Sequence, residues 1–268
     1  MYSLTYKVTT STCDSEGKLK LYSALQMMQD CSEMWIDSEP EVKNYFFQQN
    51  MAQLLATRQV EIIRVPDYKE ELTVTTSVYG MKPMFGFRNT FIYDAQGNPC
   101  YKTWSMGAFV DKVAGKLKRV DDATIQSMKL EPQLEMNYKD RRIILPKGRS
   151  SESHPSLLED GRVATEGLAR RPEGESQLDK VKTEGEVLEP IKVLRADIDY
   201  NKHLNNANYV RMAMELLPED FVVSGLRVEY RVAAKLGDGL TPTIYKIADG
   251  IIVSLSIGSE VSAIIEFT

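Results

Sequence analysis

Two histidines and three cysteines are all that 268 residues offer toward metal or thiol chemistry. Neither His154 nor His203 sits in a cluster spaced like a ligand set, so no metal site is expected. Cys13, Cys31 and Cys100 show no C-x-x-C spacing and leave one thiol over in any disulfide scheme, which fits buried, inert thiols in a reducing compartment. A basic excess is also missing. The chain has 33 Lys and Arg against 38 Asp and Glu, a formal charge of −5. That is the wrong sign for displacing counterions from phosphates, so no nucleic-acid partner is expected. No window approaches the roughly 20 apolar residues of a membrane-spanning helix. With no membrane span and no targeting segment read, a cytoplasmic location is expected.

What the chain has is the composition of a packed globular protein: 43% hydrophobic, 26% charged and 9% aromatic residues. Its length suits one large domain or two of about 130 residues, each able to bury a core. The first periodic segment carries Leu21, Leu25, Met28, Ser32 and Trp35, with Ala24 and Cys31 beside them, which is helical spacing. Alternating β-rich runs follow at 59–65, 72–79, 87–93 and 101–110, with a turn at Asp94-Ala-Gln-Gly-Asn98, and predict an antiparallel meander. Residues 146–186 lose this patterning and are rich in Gly, Ser, Pro and both charges. They read as an interdomain linker, with a short helix at 176–181 as one option and His154 as a solvated bystander.

After the linker the order recurs. A strand is expected at 187–194 and a helix at 206–217, with Ala207, Val210, Met214 and Leu217 on one face. Strands follow near 222–232, 243–248, 251–257 and 261–267, the last three joined at Asp249-Gly250 and Gly258-Ser259. At an offset of 185, Tyr6 falls on Ile191, Val8 on Val193, Asp14 on Asp199, Leu19 on Leu204 and Leu25 on Val210; at 168, Val60-Glu61 falls on Val228-Glu229. Duplication explains the shared order of elements, with chance matching as the alternative. The predicted organisation is an α+β repeat at 1–145, a linker at 146–186 and a second repeat at 187–268. Each repeat is an antiparallel sheet wrapped around a central helix.

One segment concentrates polar chemistry: Asp199-Tyr-Asn201-Lys-His203-Leu-Asn205-Asn206-Ala-Asn208-Tyr209. Asp199, Asn201 and His203 alternate, so an extended loop would turn all three to one side. The helix start that follows offers unpaired N–H groups and a positive dipole end, which suit an oxyanion formed at an attacked carbonyl. The bland alternatives are that Asn205 or Asn206 caps the helix, and that Asp199 and Asn201 hold a turn. His203, the one histidine outside the linker, is the natural base or donor, with Asp199 to orient it or hold a water.

The run Asp-Ile-Asp-Tyr-Asn-Lys-His-Leu-Asn-Asn-Ala-Asn-Tyr at 197–209 resembles the D-x-N-x-H-x-N-N-x-x-Y motif of acyl-acyl carrier protein thioesterases. The likeness extends over nearly the whole chain, including the helix entry at 17–21, Gln29-Asp30 and Val228-Glu229-Tyr230-Arg231. It implies a tandem double hotdog fold and hydrolysis of a fatty acyl thioester by water, without metal or organic cofactor. It places the catalytic positions at Asp199, Asn201 and His203: His203 base-like, Asn201 positioning the thioester or water, Asp199 orienting. Asn205 and Asn206 are expected to touch substrate, and Trp35, Trp104 and Met106 to line an acyl pocket supplied largely by the first repeat. Ordinary core is the alternative for each of the three. The implied partner is an acyl carrier protein bearing a fatty acyl group, guided by basic residues such as Lys139, Arg141, Arg142, Lys147 and Arg149. A homodimer is a further expectation, since such sheets often pair edge to edge, although the tandem repeat offers another way to satisfy that edge. The likeness breaks at one place: plant members carry Glu then Cys where this chain has Ala233 and Ala234. Either Asp199 suffices, a carboxylate such as Glu229 substitutes, or activity is reduced. Acyl-coenzyme A hydrolysis and acyl binding without turnover are the competing readings.

Overall fold

The computed structural model describes residues 1–146 and 185–268. The expected linker, with its optional helix, His154, Lys147 and Arg149, lies almost wholly outside the described residues. The first repeat runs β1 (Tyr2–Lys7), α1 (Leu21–Ser38), α2 (Pro40–Gln48), β2 (Met51–Ile62), β3 (Glu71–Lys82), β4 (Phe85–Asp94), β5 (Pro99–Asp111) and α3 (Asp122–Ser127). The second runs β6 (Glu186–Val187), β7 (Ile191–Lys192), α4 (Asn206–Met214), β8 (Gly225–Tyr230), β9 (Gly239–Ile247), β10 (Gly250–Ile257) and β11 (Glu260–Phe267). The strand expected at 187–194 is broken into β6 and β7, and the helix expected to reach 217 ends at Met214.

α1 forms where the spacing predicts it. Leu21, Ala24, Leu25, Met28, Cys31 and Trp35 fall on one stripe and are buried. Glu39 separates it from α2, where Pro40 takes the first turn, the helical position at which a missing N–H is harmless. The stripe of α1 and the inner face of α4 meet one hydrophobic core shared by both repeats, in which Leu25, Met28, Val60, Val210, Val228 and Ile265 are among the buried members.

The strands form one antiparallel sheet in the order β1-β3-β4-β5-β2-β8-β11-β10-β9-β6, with β7 also pairing β9. The second half of this order is the first half reversed, as a two-fold axis between β2 and β8 requires. Their register pairs Arg58 with Val228, Gln59 with Arg227 and Val60 with Leu226. The offset of 168 carries 58 to 226 and 60 to 228, so the outer two pairs are images of each other about Gln59–Arg227.

The earlier offset of 185 is matched in equal detail. Bridges Cys13–Leu19 and Ile198–Leu204 close equivalent turns, and Gly17 (φ +77°) and Lys202 (φ +64°) reverse the chain in the left-handed region. In each turn the Asp carboxylate accepts two backbone N–H groups. Asp14 takes those of Glu16 and Lys18 at 3.0 and 2.9 Å, and Asp199 those of Asn201 and His203 at 2.8 and 3.2 Å. Matching residues recur because the turn needs them.

Residues 129–146 form a strap across the outer face of the sheet. Asn137 N–H donates to Glu61, Lys139 N–H to Gln59 and Ile143 N–H to Glu229. Ile143 is buried against Ile252 and Ile264 of the second repeat. The strap therefore binds both repeats and covers their junction.

Candidate active site

The turn at 199–203 delivers the polar groups of the motif to one cleft, by a route other than the expected one. The segment is not extended. Asp199 Oδ1 gathers the amides of Asn201 and His203, Asp199 N–H donates to the His203 carbonyl at 2.8 Å, and Lys202 takes the left-handed conformation. A tight reversal of this kind, rather than strand alternation, brings Asp199, Asn201 and His203 to line the same space. The turn is anchored below by buried Asp197, which pairs with Arg211 at 2.7 Å and accepts the Leu194 N–H at 2.9 Å. Leu204 N–H donates to the Ala234 carbonyl at 2.8 Å, fixing the turn against the exit of β8.

Helix α4 begins at the end of this turn. Asn205 is its cap, its Oδ1 accepting Ala207 N–H at 2.9 Å, and it does not line the cleft. That is the bland alternative for this amide, and the expected substrate contact is corrected accordingly. Asn206, the first helical residue, does line the cleft, and its carbonyl accepts the Tyr230 hydroxyl at 3.0 Å. The capped N-terminus of α4, the positive end of its dipole, thus lies beside the turn, where a developing negative charge is favoured.

The opposite wall belongs to the first repeat. Gln29, Ser32, Glu33 and Ile36 occupy one face of α1 at helical spacing and line the cleft. Strands β2, β4 and β5 add Arg58, Arg88 and Ser105, and the space between the walls is about 200 Å³. Gly107 admits the Gln53 side chain, which would lie 2.5 Å from any Cβ placed there. Arg88 is stacked 4.3 Å over the Trp35 ring and donates to Thr76 Oγ1 at 3.1 Å, and burial brings its guanidinium pKa down to about 10. Arg58 is 4% exposed, its Nε and Nη1 meet no partner, and burial lowers its pKa as well.

Trp35 therefore meets the cleft indirectly, as the platform beneath Arg88. Trp104 and Met106 do not meet it. They point to the outer face of β5, in a cluster with Ala56 and Ala108 that packs against Met136 and Tyr138 of the strap. Trp104 Nε1 donates to Gln59 at 2.6 Å. The expectation that these two line the acyl pocket is corrected: β5 is buried on both faces, and they occupy the one turned away. Glu229 is corrected in the same way, since it accepts the Ile143 and Arg231 N–H groups and is absent from the cleft. β8 ends at Tyr230, so Ala233 lies beyond the strand that carries Glu229. Lys139, Arg141 and Arg142 belong to the strap, on the face of β2 opposite the cleft. Glu33, Arg58 and Arg88 are cleft residues that sequence reasoning missed. For Glu33 the available signal was its place with Gln29 and Ser32 on the polar face of α1; Arg58 and Arg88 lie on strands and carry no such local signal.

Among the described residues no group of three His, Cys, Asp or Glu could hold a metal ion, and no helix is long and apolar enough to cross a membrane. No curated protein matches the chain in sequence. Two family models do: the N-terminal domain of acyl-ACP thioesterases over residues 1–128 and the C-terminal domain over 180–263. Among solved structures, an acyl-ACP thioesterase from Bacteroides thetaiotaomicron superposes with a TM-score of 0.75 at 15% identity, covering 99% of this chain and 96% of that one. The 12:0-ACP thioesterase from Umbellularia californica superposes at 0.71 and 12% identity, covering 99% and 95%. At such identities the superpositions speak for the fold, and the family models speak for descent. The chain belongs to the acyl-ACP thioesterase family, a tandem double hotdog α+β protein that hydrolyses the thioester of fatty acyl-acyl carrier protein.

Proposed function

We propose that the cleft between the repeats is where hydrolysis occurs, and that Asn201 and His203 act directly on the thioester while Asp199 holds the turn that presents them. The observation that carries this reading is the convergence of all three on one cleft beside the N-terminus of α4. In this reading the carbonyl oxygen lies toward the helix start, where partial positive charge stabilises the tetrahedral oxyanion. Asn201 positions the thioester or the water through its amide, and His203 polarises the water or protonates the departing sulfur. The first repeat at 1–145 supplies the acyl wall and the second at 187–268 the catalytic motif, with 146–186 joining them. The reaction is placed in the cytoplasm. The pairing of β2 with β8 already joins the two repeats, so the reading needs no second chain; a homodimer would pair through β1 or β6, the ends of the sheet.

Release of free fatty acid from acyl carrier protein thioesters of graded chain length tests the reading, with acyl-coenzyme A of the same chain as the second arm. His203→Ala is expected to lower kcat about 10²–10⁴-fold, the range typical of a lost acid–base group. Wild-type turnover in that variant would move the site elsewhere.

A further inference from the structure

Ala233 lines the cleft at the place where the resemblance puts a glutamate, and it brings no carboxylate. Glu229 faces the strap. Another carboxylate does reach the cleft: Glu33, on the face of α1 that looks across at the catalytic turn. The hydroxyl of Tyr200, between Asp199 and Asn201, donates to Glu33 Oε2 at 3.1 Å. The charged and titratable groups around Glu33 are Arg88 from β4, Asp199 and Tyr200 from the turn, and Asp37 from its own helix, with His203 lining the same cleft. Glu33 keeps contact with solvent. Even so, desolvation raises its carboxyl pKa, Asp199 and Asp37 add to the rise, and the Tyr200 hydrogen bond and Arg88 do not cancel it. A carboxyl displaced upward is a better proton acceptor near neutral pH than an ordinary one.

We propose that Glu33, supplied by the first repeat, is the second carboxylate of the active site and does from α1 what a glutamate at position 233 would do from the second repeat. This rests on the reading that the cleft hydrolyses the thioester. A water oxygen bonds to the thioester carbon while one of its protons passes to Glu33, and the carbonyl electron pair moves onto oxygen. The oxyanion then re-forms the carbonyl, the C–S bond breaks with its electron pair on sulfur, and the proton held by Glu33 is returned to that sulfur. The products are a carboxylic acid and the carrier thiol. The catalytic set would span both repeats, so neither repeat alone would contain it.

Steady-state kinetics of the full chain on acyl-acyl carrier protein test this. Glu33→Gln is expected to lower kcat about 10²-fold or more with KM changed less than about twofold, and Glu33→Asp to keep part of the rate. The acidic limb of the wild-type pH–rate profile should lie above the ordinary glutamate range and disappear in Glu33→Gln. Adding Ala233→Glu to Glu33→Gln should restore about tenfold or more of the lost rate. Tyr200→Phe removes the hydrogen bond but leaves the carboxylate, and should keep most of kcat. Wild-type kcat in Glu33→Gln overturns the proposal, as does a Tyr200→Phe protein as impaired as Glu33→Gln, which would make Glu33 an anchor for the turn. A wild-type chain that releases no fatty acid, or a fully active His203→Ala, instead removes the underlying reading and the proposal with it.

Discussion

The equivalent turns at 14–18 and 199–203 allow one perturbation to be made twice, once away from the proposed site and once inside it. Asp14 and Asp199 each accept two backbone N–H groups at 2.8–3.2 Å through one carboxylate oxygen. Solvent reaches both turns, so each bond is worth about 1 kcal/mol, and Asp→Ala at either position should cost about 2 kcal/mol. For a chain of this size that lowers Tm by about 4–6 °C. Asp→Asn keeps the acceptor oxygen, loses only the charge, and should cost about half as much.

The assay pairs thermal unfolding with kcat on acyl-acyl carrier protein. Asp14→Ala and Asp199→Ala are expected to melt within about 2 °C of each other, since they remove the same two bonds. Their rates should part. Asp14→Ala keeps kcat, because Glu16 and Lys18 occupy the places of Asn201 and His203 in the first repeat, whereas Asp199→Ala loses about 10²-fold or more as Asn201 and His203 lose their placement. Asp199→Asn should keep the fold and lose about tenfold, which isolates the charge from the geometry. Equal rate losses at Asp14 and Asp199, or wild-type kcat in Asp199→Ala alongside the expected melting shift, would refute the assignment of Asp199.

Two further substitutions probe the walls. Trp104→Phe removes the 2.6 Å bond to Gln59 and should lower stability by about 1–2 kcal/mol while leaving chain-length preference unchanged; a shifted product profile would return Trp104 to the acyl pocket. Gly107→Ala sets a Cβ about 2.5 Å from both Cγ and Nε2 of Gln53, so the whole side chain must shift; Tm should fall, and preference should move toward shorter acyl chains, read by the same release assay across chain lengths.

The features legible in the sequence are those that one local rule controls. The apolar stripe of α1 is a matter of helical period, the 94–98 turn of Asp and Gly chemistry, and the duplication of two turns that need the same Asp. What escaped depends on partners distant in sequence. The strap at 129–146 has no period because its amides bond to Glu61, Gln59 and Glu229 instead of to a neighbouring strand. β5 is buried along nearly its whole length, so alternation does not say which face meets the cleft, and Trp104 lies on the face turned toward the strap. Arg58 and Arg88 are buried charges that run against the hydrophobic pattern of the strands that carry them. Disagreement of that kind between local pattern and burial is expected where function rather than stability has chosen the residue.

Arg58 is the sharpest instance, and it yields a prediction of opposite sign to the others. A guanidinium 4% exposed, with Nε and Nη1 unpartnered, carries a desolvation penalty that no neighbouring carboxylate offsets; Tyr230 favours its charge only weakly when neutral, and the Arg88 guanidinium opposes it. Replacing such a charge by an apolar side chain of similar length commonly stabilises a protein by about 1–4 kcal/mol. Arg58→Met should therefore raise the urea midpoint. Because Arg58 lines the cleft opposite the catalytic turn, the same variant should turn over substrate more slowly. A stability gain with a rate loss is the signature of a group retained for its action on the ligand, against the interest of the fold. If Arg58→Met is instead destabilised by more than about 1 kcal/mol, the guanidinium is held by the protein better than its geometry indicates, and its burial is structural.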